Sequence, residues 1–137
     1  FHEGADDGIG PHVRPPLSRE SAIDALHALI ALRRDGLQQP LPFAPYSAWE
    51  LFSAVNAERG LRNAANRWRG GERQWAEGDS EALRLALRGR DPFADAATVE
   101  AFAELAFVIY GALTQGEALP PPILDADALP EDAEDAA

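Results

Sequence analysis

The apolar positions of this chain recur at helical spacing in separate stretches, parted by breaks rich in proline and glycine. Residues 1–17 mix Gly, Pro and acids without period and read as a loop or flexible lead-in. Ser18 then stands where an N-cap belongs, and Ala22, Ile23, Leu26, Leu29 and Ile30 follow in the i, i+3, i+4, i+7 pattern of an amphipathic helix, with Leu32 at the edge of the stripe. Arg33 and Arg34 suit the negative end of the helix dipole. Gly36 is a natural residue just past the end, with Leu37 placed to fold back. The pattern predicts a helix over 19–35.

The next stretch, PLPFAPYS over 40–47, holds Pro40, Pro42 and Pro45 and is expected to be extended. Ser47 and Glu50 have the spacing of a capping box, opening a helix over 48–58 that buries Trp49, Phe52 and Val55. Gly60 is expected to interrupt it before Leu61 to Trp68 resume. Residues 69–80 read as a loop holding Trp75 against the body, and Asp79 or Ser80 caps a short helix ending near Arg88 and Gly89. Asp95 or Thr98 opens the last helix, over 97–115, with Val99, Phe102, Leu105, Ala106, Ile109 and Leu113 in one stripe and Gly116 at its end. No strand is convincing within 18–116, so the chain reads as mainly α. The expected core is Trp49, Phe52, Phe102, Leu105 and Ile109.

Charge sharpens this division. The 137 residues carry 23 acids against 12 bases, a formal net charge of −11. Seven of the acids, and no base, lie in 117–137; three more lie in 1–17, beside Arg14. The middle, 18–116, is near neutral, and the tail is expected to be disordered because it is acidic, proline-rich and without aromatics. The chain has no Cys, which excludes disulfides, thiol chemistry and Cys-ligated zinc. No apolar run reads as a span and no signal peptide is visible, so a soluble, cytoplasmic protein without membrane contact is expected. The chain has no Met and begins at Phe1, as expected for a piece of a longer reading frame.

Candidate chemistry is sparse. His2, Glu3, Asp6, Asp7 and His12 are potential metal ligands, but nothing orders them, and no metal or other cofactor is expected. His27 sits mid-helix beside apolar residues and reads as a packing residue. No G-x-S-x-G, P-loop or H-E-x-x-H pattern occurs, and every basic residue is Arg. Without Lys there is no Walker lysine, no Schiff base and no lysine of a D…E-x-K nuclease, so no catalytic residue is assigned. The suggestive polar feature is Arg59, Arg62, Arg67, Arg69 and Arg73, interleaved with Asn63, Asn66 and Trp68 and opposed by Glu58 and Glu72. Arginines grip phosphate bidentately and an aromatic among them can stack on a base. The same residues also fit an ordinary solvated helix face with internal ion pairs, or a contact to a partner protein.

Four segments in order, LHALIALRRDGLQQPLPFAPYSAW, GERQWAEGDS, LRLALRGRDPF and FAELAFVIYGAL, resemble the C-terminal region of RecC. RecC is the gamma subunit of exodeoxyribonuclease V, the RecBCD helicase–nuclease of double-strand-break repair and recombination. The resemblance covers 18–116; residues 1–17 and the acidic extension 117–137 fall outside it. It implies the helical part of an inactive nuclease-like α/β C-terminal domain, which scaffolds RecB-like and RecD-like subunits and helps to guide unwound DNA. The arginine group is then the candidate for a sequence-independent DNA contact or a subunit contact, and exposed apolar surface is expected on the isolated segment. Two readings stand beside it: a free-standing helical protein-interaction module without DNA binding, and a metal-dependent nuclease with Arg or Gln in place of Lys.

Overall fold

The computed structural model describes residues 14–125. The lead-in up to residue 13, with its potential metal ligands, and the tail from 126 onward lie outside the described residues. The elements are α1 (Arg19–Gln38), α2 (Pro45–Phe52), α3 (Ala57–Arg69), a 3-10 turn at Glu77–Asp79, α4 (Glu81–Ala86) and α5 (Ala96–Gln115). The fold is mainly helical; among the described residues there is no strand, only an isolated bridge between Gly71 and Gln74.

Side-chain caps set several helix starts. Ser18 accepts from the Ser21 amide, Asn56 from Arg59, Ser80 from Leu83 and Asp95 from Thr98. Thr98 adds its hydroxyl to the Asp95 carboxylate, and these bonds to the charged form hold Asp95 below the usual carboxylate range. The C-terminal signal at Gly36 fails: α1 runs through it to Gln38. Pro40 decides the end instead, because the residue before a proline avoids the helical region, and Gln39 is extended at φ −148° and ψ 153°. The break expected at Gly60 falls earlier, at residues 53–56, and Gly60 lies inside α3. There it serves packing, since a Cβ would stand 2.8 Å from the Leu51 carbonyl oxygen of α2.

The capping box at Ser47 is replaced by a distant residue. Pro45 takes the first helical position, and Ser47 falls inside the first turn of α2. Its amide and hydroxyl donate to Glu77 Oε2 at 2.7 and 2.6 Å, and the Tyr46 amide donates to Glu77 Oε1 at 2.9 Å. Glu77, only 1% exposed, thus closes the start of α2 from across the chain.

α2 packs on α3 and on α5, while α1 touches α5 lightly. Leu51, Leu61, Ala64, Ala65, Val99 and Phe102 form the centre of the core. Of the expected core residues, Phe102 and Leu105 are buried, while Trp49, Phe52 and Ile109 are half-buried; Val55 is exposed. Trp49 and Phe52 join Phe107 and Tyr110 in an aromatic cluster whose ring centroids lie 5.1–5.8 Å apart. The Tyr110 hydroxyl donates to the Pro45 carbonyl at 2.6 Å, and burial, with Glu77 nearby, pushes its pKa up to about 12.

By length and composition α5 is apolar enough to cross a bilayer, at mean hydropathy 1.5. No span was expected from the sequence. Its Val99, Phe102, Ala103, Leu105, Ala106, Tyr110 and Gly111 are buried within the fold, which is the pattern of a core helix. Gly116 ends α5 in the left-handed region at φ 71°, and Leu17 covers it, tying the start of α1 to the end of α5. The first part of the expected disordered tail is placed. Residues 117–125 run back along α5, with the Leu119 amide 3.4 Å from the Phe107 carbonyl oxygen and Leu124 packed on the core.

Candidate interface around the arginine group

α3 is strongly amphipathic because its small and apolar residues, Gly60, Leu61, Ala64 and Ala65, turn inward and its arginines do not. Arg59, Arg62, Arg67 and Arg69 lie along α3, with Arg59 and Arg67 about 12 Å apart along its axis, and Arg73 follows in the turn after it. Arg62 pairs with Glu58 at 3.0 Å one turn away, with both side chains mostly in solvent, so this pair contributes little. Among the described residues no ion pair is formed by Arg59, Arg67, Arg69 or Arg73. Glu72, counted from the sequence as an opposing charge, pairs with none of them.

Arg67 has the most defined surroundings. Its guanidinium carbon lies 5.1 Å from the Tyr46 ring centroid and 5.9 Å from that of Trp75. The two rings meet edge to face at 6.3 Å. Arg67 Nε is buried and has no hydrogen-bond partner. The Glu77 carboxylate fixes the backbone under Tyr46 through its amide, so one buried acid both starts α2 and orients this aromatic. Tyr46 and Trp75 remain 58% and 54% exposed, so a cation and two aromatic faces meet at the surface.

The aromatic expected to accompany the arginines was Trp68, and the structure reassigns that place. Trp68 is half-buried against Gly78 and the core, while Trp75, expected to lie against the body, is the exposed ring beside Arg67. Tyr46 and Glu77 were missed. Tyr46 lies far from Arg67 in sequence, and nothing local distinguishes Glu77 from the other acids. Among the described residues no group of His, Asp and Glu side chains could hold a metal ion.

Residues 5–56 match the family model of the RecC C-terminal domain. Over that stretch the resemblance to the RecC C-terminal region is confirmed. The RecC match begins inside the lead-in, which the sequence reading left outside the resemblance, and takes in α1 and α2 before stopping at Asn56, the cap of α3. The match covers less than half of the 137 residues. The five arginines all lie beyond the matched residues. No curated protein and no solved structure matches the chain.

Proposed function

We propose that this chain is a non-catalytic scaffold segment of a RecC-type subunit, contacting RecB-like and RecD-like partners and guiding unwound DNA in the cytoplasm. Its helices are read as the helical part of an inactive nuclease-like domain. The RecC match over residues 5–56 supports the subunit assignment. The DNA contact rests on one observation: Arg67, Arg69 and Arg73 stand without ion-pair partners among the described residues, and Arg67 lies beside the exposed rings of Tyr46 and Trp75. In a chain of net charge −11, unpaired guanidiniums with aromatic faces suit a phosphate backbone with loosely stacked bases.

The test is a fluorescence-anisotropy titration of labelled single-stranded DNA at about 50 and 200 mM salt. Removing Arg69 and Arg73 together is expected to weaken binding at least about tenfold and to lower the salt slope by about 2. Equal affinity of the variant and the parent, or no binding at low salt, would end the DNA reading. A second reading, a helical protein-interaction module without DNA binding, is favoured by the exposed apolar residues of α1. Co-purification with RecB- and RecD-like subunits checks the scaffold role, and its loss on deleting α1 is the expected result.

A further inference from the structure

The first half of α5 carries two adjoining features. On one side Pro121, Ile123 and Leu124 lie along Glu100, Ala103 and Glu104, so the segment after α5 has returned to the start of that helix by Asp125. On the next face, by helical spacing, a cleft of about 410 Å³ is lined by Pro40, Pro42, Leu87, Pro92, Ala97 and Ala101. The chain around Leu87 also carries Arg84, Arg88 and Arg90. All three are exposed, and none forms an ion pair among the described residues. Arg90 itself lines the cleft. The acids of the lining, Asp91 and Asp95, already accept from the Phe93 and Thr98 amides. The result is an apolar cleft with a cationic rim.

The residues that follow Asp125 suit this surface in charge, in side chains and in reach. Residues 126–137 hold five acids, Asp127, Glu131, Asp132, Glu134 and Asp135, no base, and one large apolar side chain, Leu129. Four residues span at most about 14 Å, more than a helix diameter of about 10 Å, so Leu129 can reach the cleft from Asp125. The acids from Glu131 onward then come within range of the arginines. The lead-in is a poorer fit. It joins the body at the other end of α5, where Leu17 covers Gly116, about 27 Å from Ala97 along the axis, and it holds three acids. We propose that residues 126–135 dock on this surface, with Leu129 and Pro130 in the cleft and the acids that follow against Arg84, Arg88 and Arg90. Exposed ion pairs contribute little each, so burial of Leu129 sets most of the strength, and docking is reversible. This inference stands apart from whatever the arginines of α3 and the exposed face of α1 bind.

Paramagnetic relaxation enhancement on the full 137-residue chain tests it, because a chain without Cys takes a single spin label at Ala133→Cys. At about 50 mM salt the label is expected to broaden the amides of 87–101 more strongly than those of α3, and less so at about 500 mM. Leu129→Ser is expected to weaken docking about tenfold, through the loss of one buried leucine side chain. Arg88→Glu with Arg90→Glu, both at exposed positions, is expected to weaken it by a similar factor. Both variants should keep the far-ultraviolet circular dichroism of the parent. Amides of 87–101 broadened no more than the rest overturn the proposal. So does broadening centred on Arg67 to Arg73, which would set the acids on the other arginines. Contact that survives Leu129→Ser, or survives the two arginine reversals, overturns it as well.

Discussion

Glu77 closes the start of α2 from a distant loop, and its replacement has a calculable effect. Its carboxylate accepts from the Tyr46 amide, the Ser47 amide and the Ser47 hydroxyl at 2.9, 2.7 and 2.6 Å. Glu77→Ala strands two amides of the first turn of α2 and a hydroxyl in a site that is almost fully buried. Hydrogen bonds to a charged group contribute about 1.5–3 kcal/mol each, which sets a gross loss of about 6 kcal/mol. Alanine also removes the penalty of burying a carboxylate, several kcal/mol, so a net destabilisation of about 3 kcal/mol is expected. Gln retains an acceptor for one amide only and is expected to cost about half as much.

Urea unfolding followed by tryptophan fluorescence measures this directly. With a slope of about 1.5 kcal/mol per molar urea for a chain of this size, Glu77→Ala lowers the midpoint by about 2 M. Exposed Glu72→Ala serves as the control and is expected within about 0.5 kcal/mol of the parent. A double-mutant cycle with Ser47→Ala is expected to show coupling of about 1 kcal/mol. A midpoint shift below about 0.5 M, or a coupling near zero, would refute the account of Glu77 as the cap of α2.

The other predictions use the same measurements. Gly60→Ala gains about 1 kcal/mol of helix preference but drives a methyl against the Leu51 carbonyl oxygen, so a net loss of about 1–2 kcal/mol is expected in the urea midpoint. Gly36→Ala meets only the flexible end of Leu41, 3.3 Å away, and is expected to be neutral or stabilising, the opposite sign at a second helical glycine. Phe102→Ala empties the centre of the core and is expected to cost about 3–5 kcal/mol, lowering the urea midpoint by about 2–3 M. Tyr110, with its pKa raised to about 12, favours the neutral phenol in the fold. Its contribution to stability is complete below about 10, the unfolded value, and is lost as pH rises toward about 12. Spectrophotometric titration at the phenolate band should show that late transition, and Tyr110→Phe should abolish it.

Helix placement was largely legible from the residues because its causes are local. Ser18, Asp95 and Gly116 act as the caps their types predict, and the period of Val99, Phe102 and Leu105 correctly marks a core face. The misplaced boundaries came from rival local signals: at Gly36 the proline four residues on prevailed, and at Gly60 close packing of two helices used the glycine for space. The arginine group was visible as a set of residue types, yet the surroundings of its members were not. Arg67 is defined by Tyr46 and Trp75, which come from the start of α2 and from the loop after α3, and only the packed chain brings these together.

The sequence by itself therefore determined a mainly helical chain, the approximate span of its long helices, the acidic ends and the absence of cysteine and lysine chemistry. Each follows from residue type or from contacts within a turn or two. Tertiary structure decided that a buried glutamate from a distant loop starts α2, that Trp75 rather than Trp68 is the ring available at the surface, and that one apolar line of α1 is left uncovered. Those outcomes depend on which surfaces meet across long sequence separations, where the choice is made by packing and by the need to pair every buried polar group.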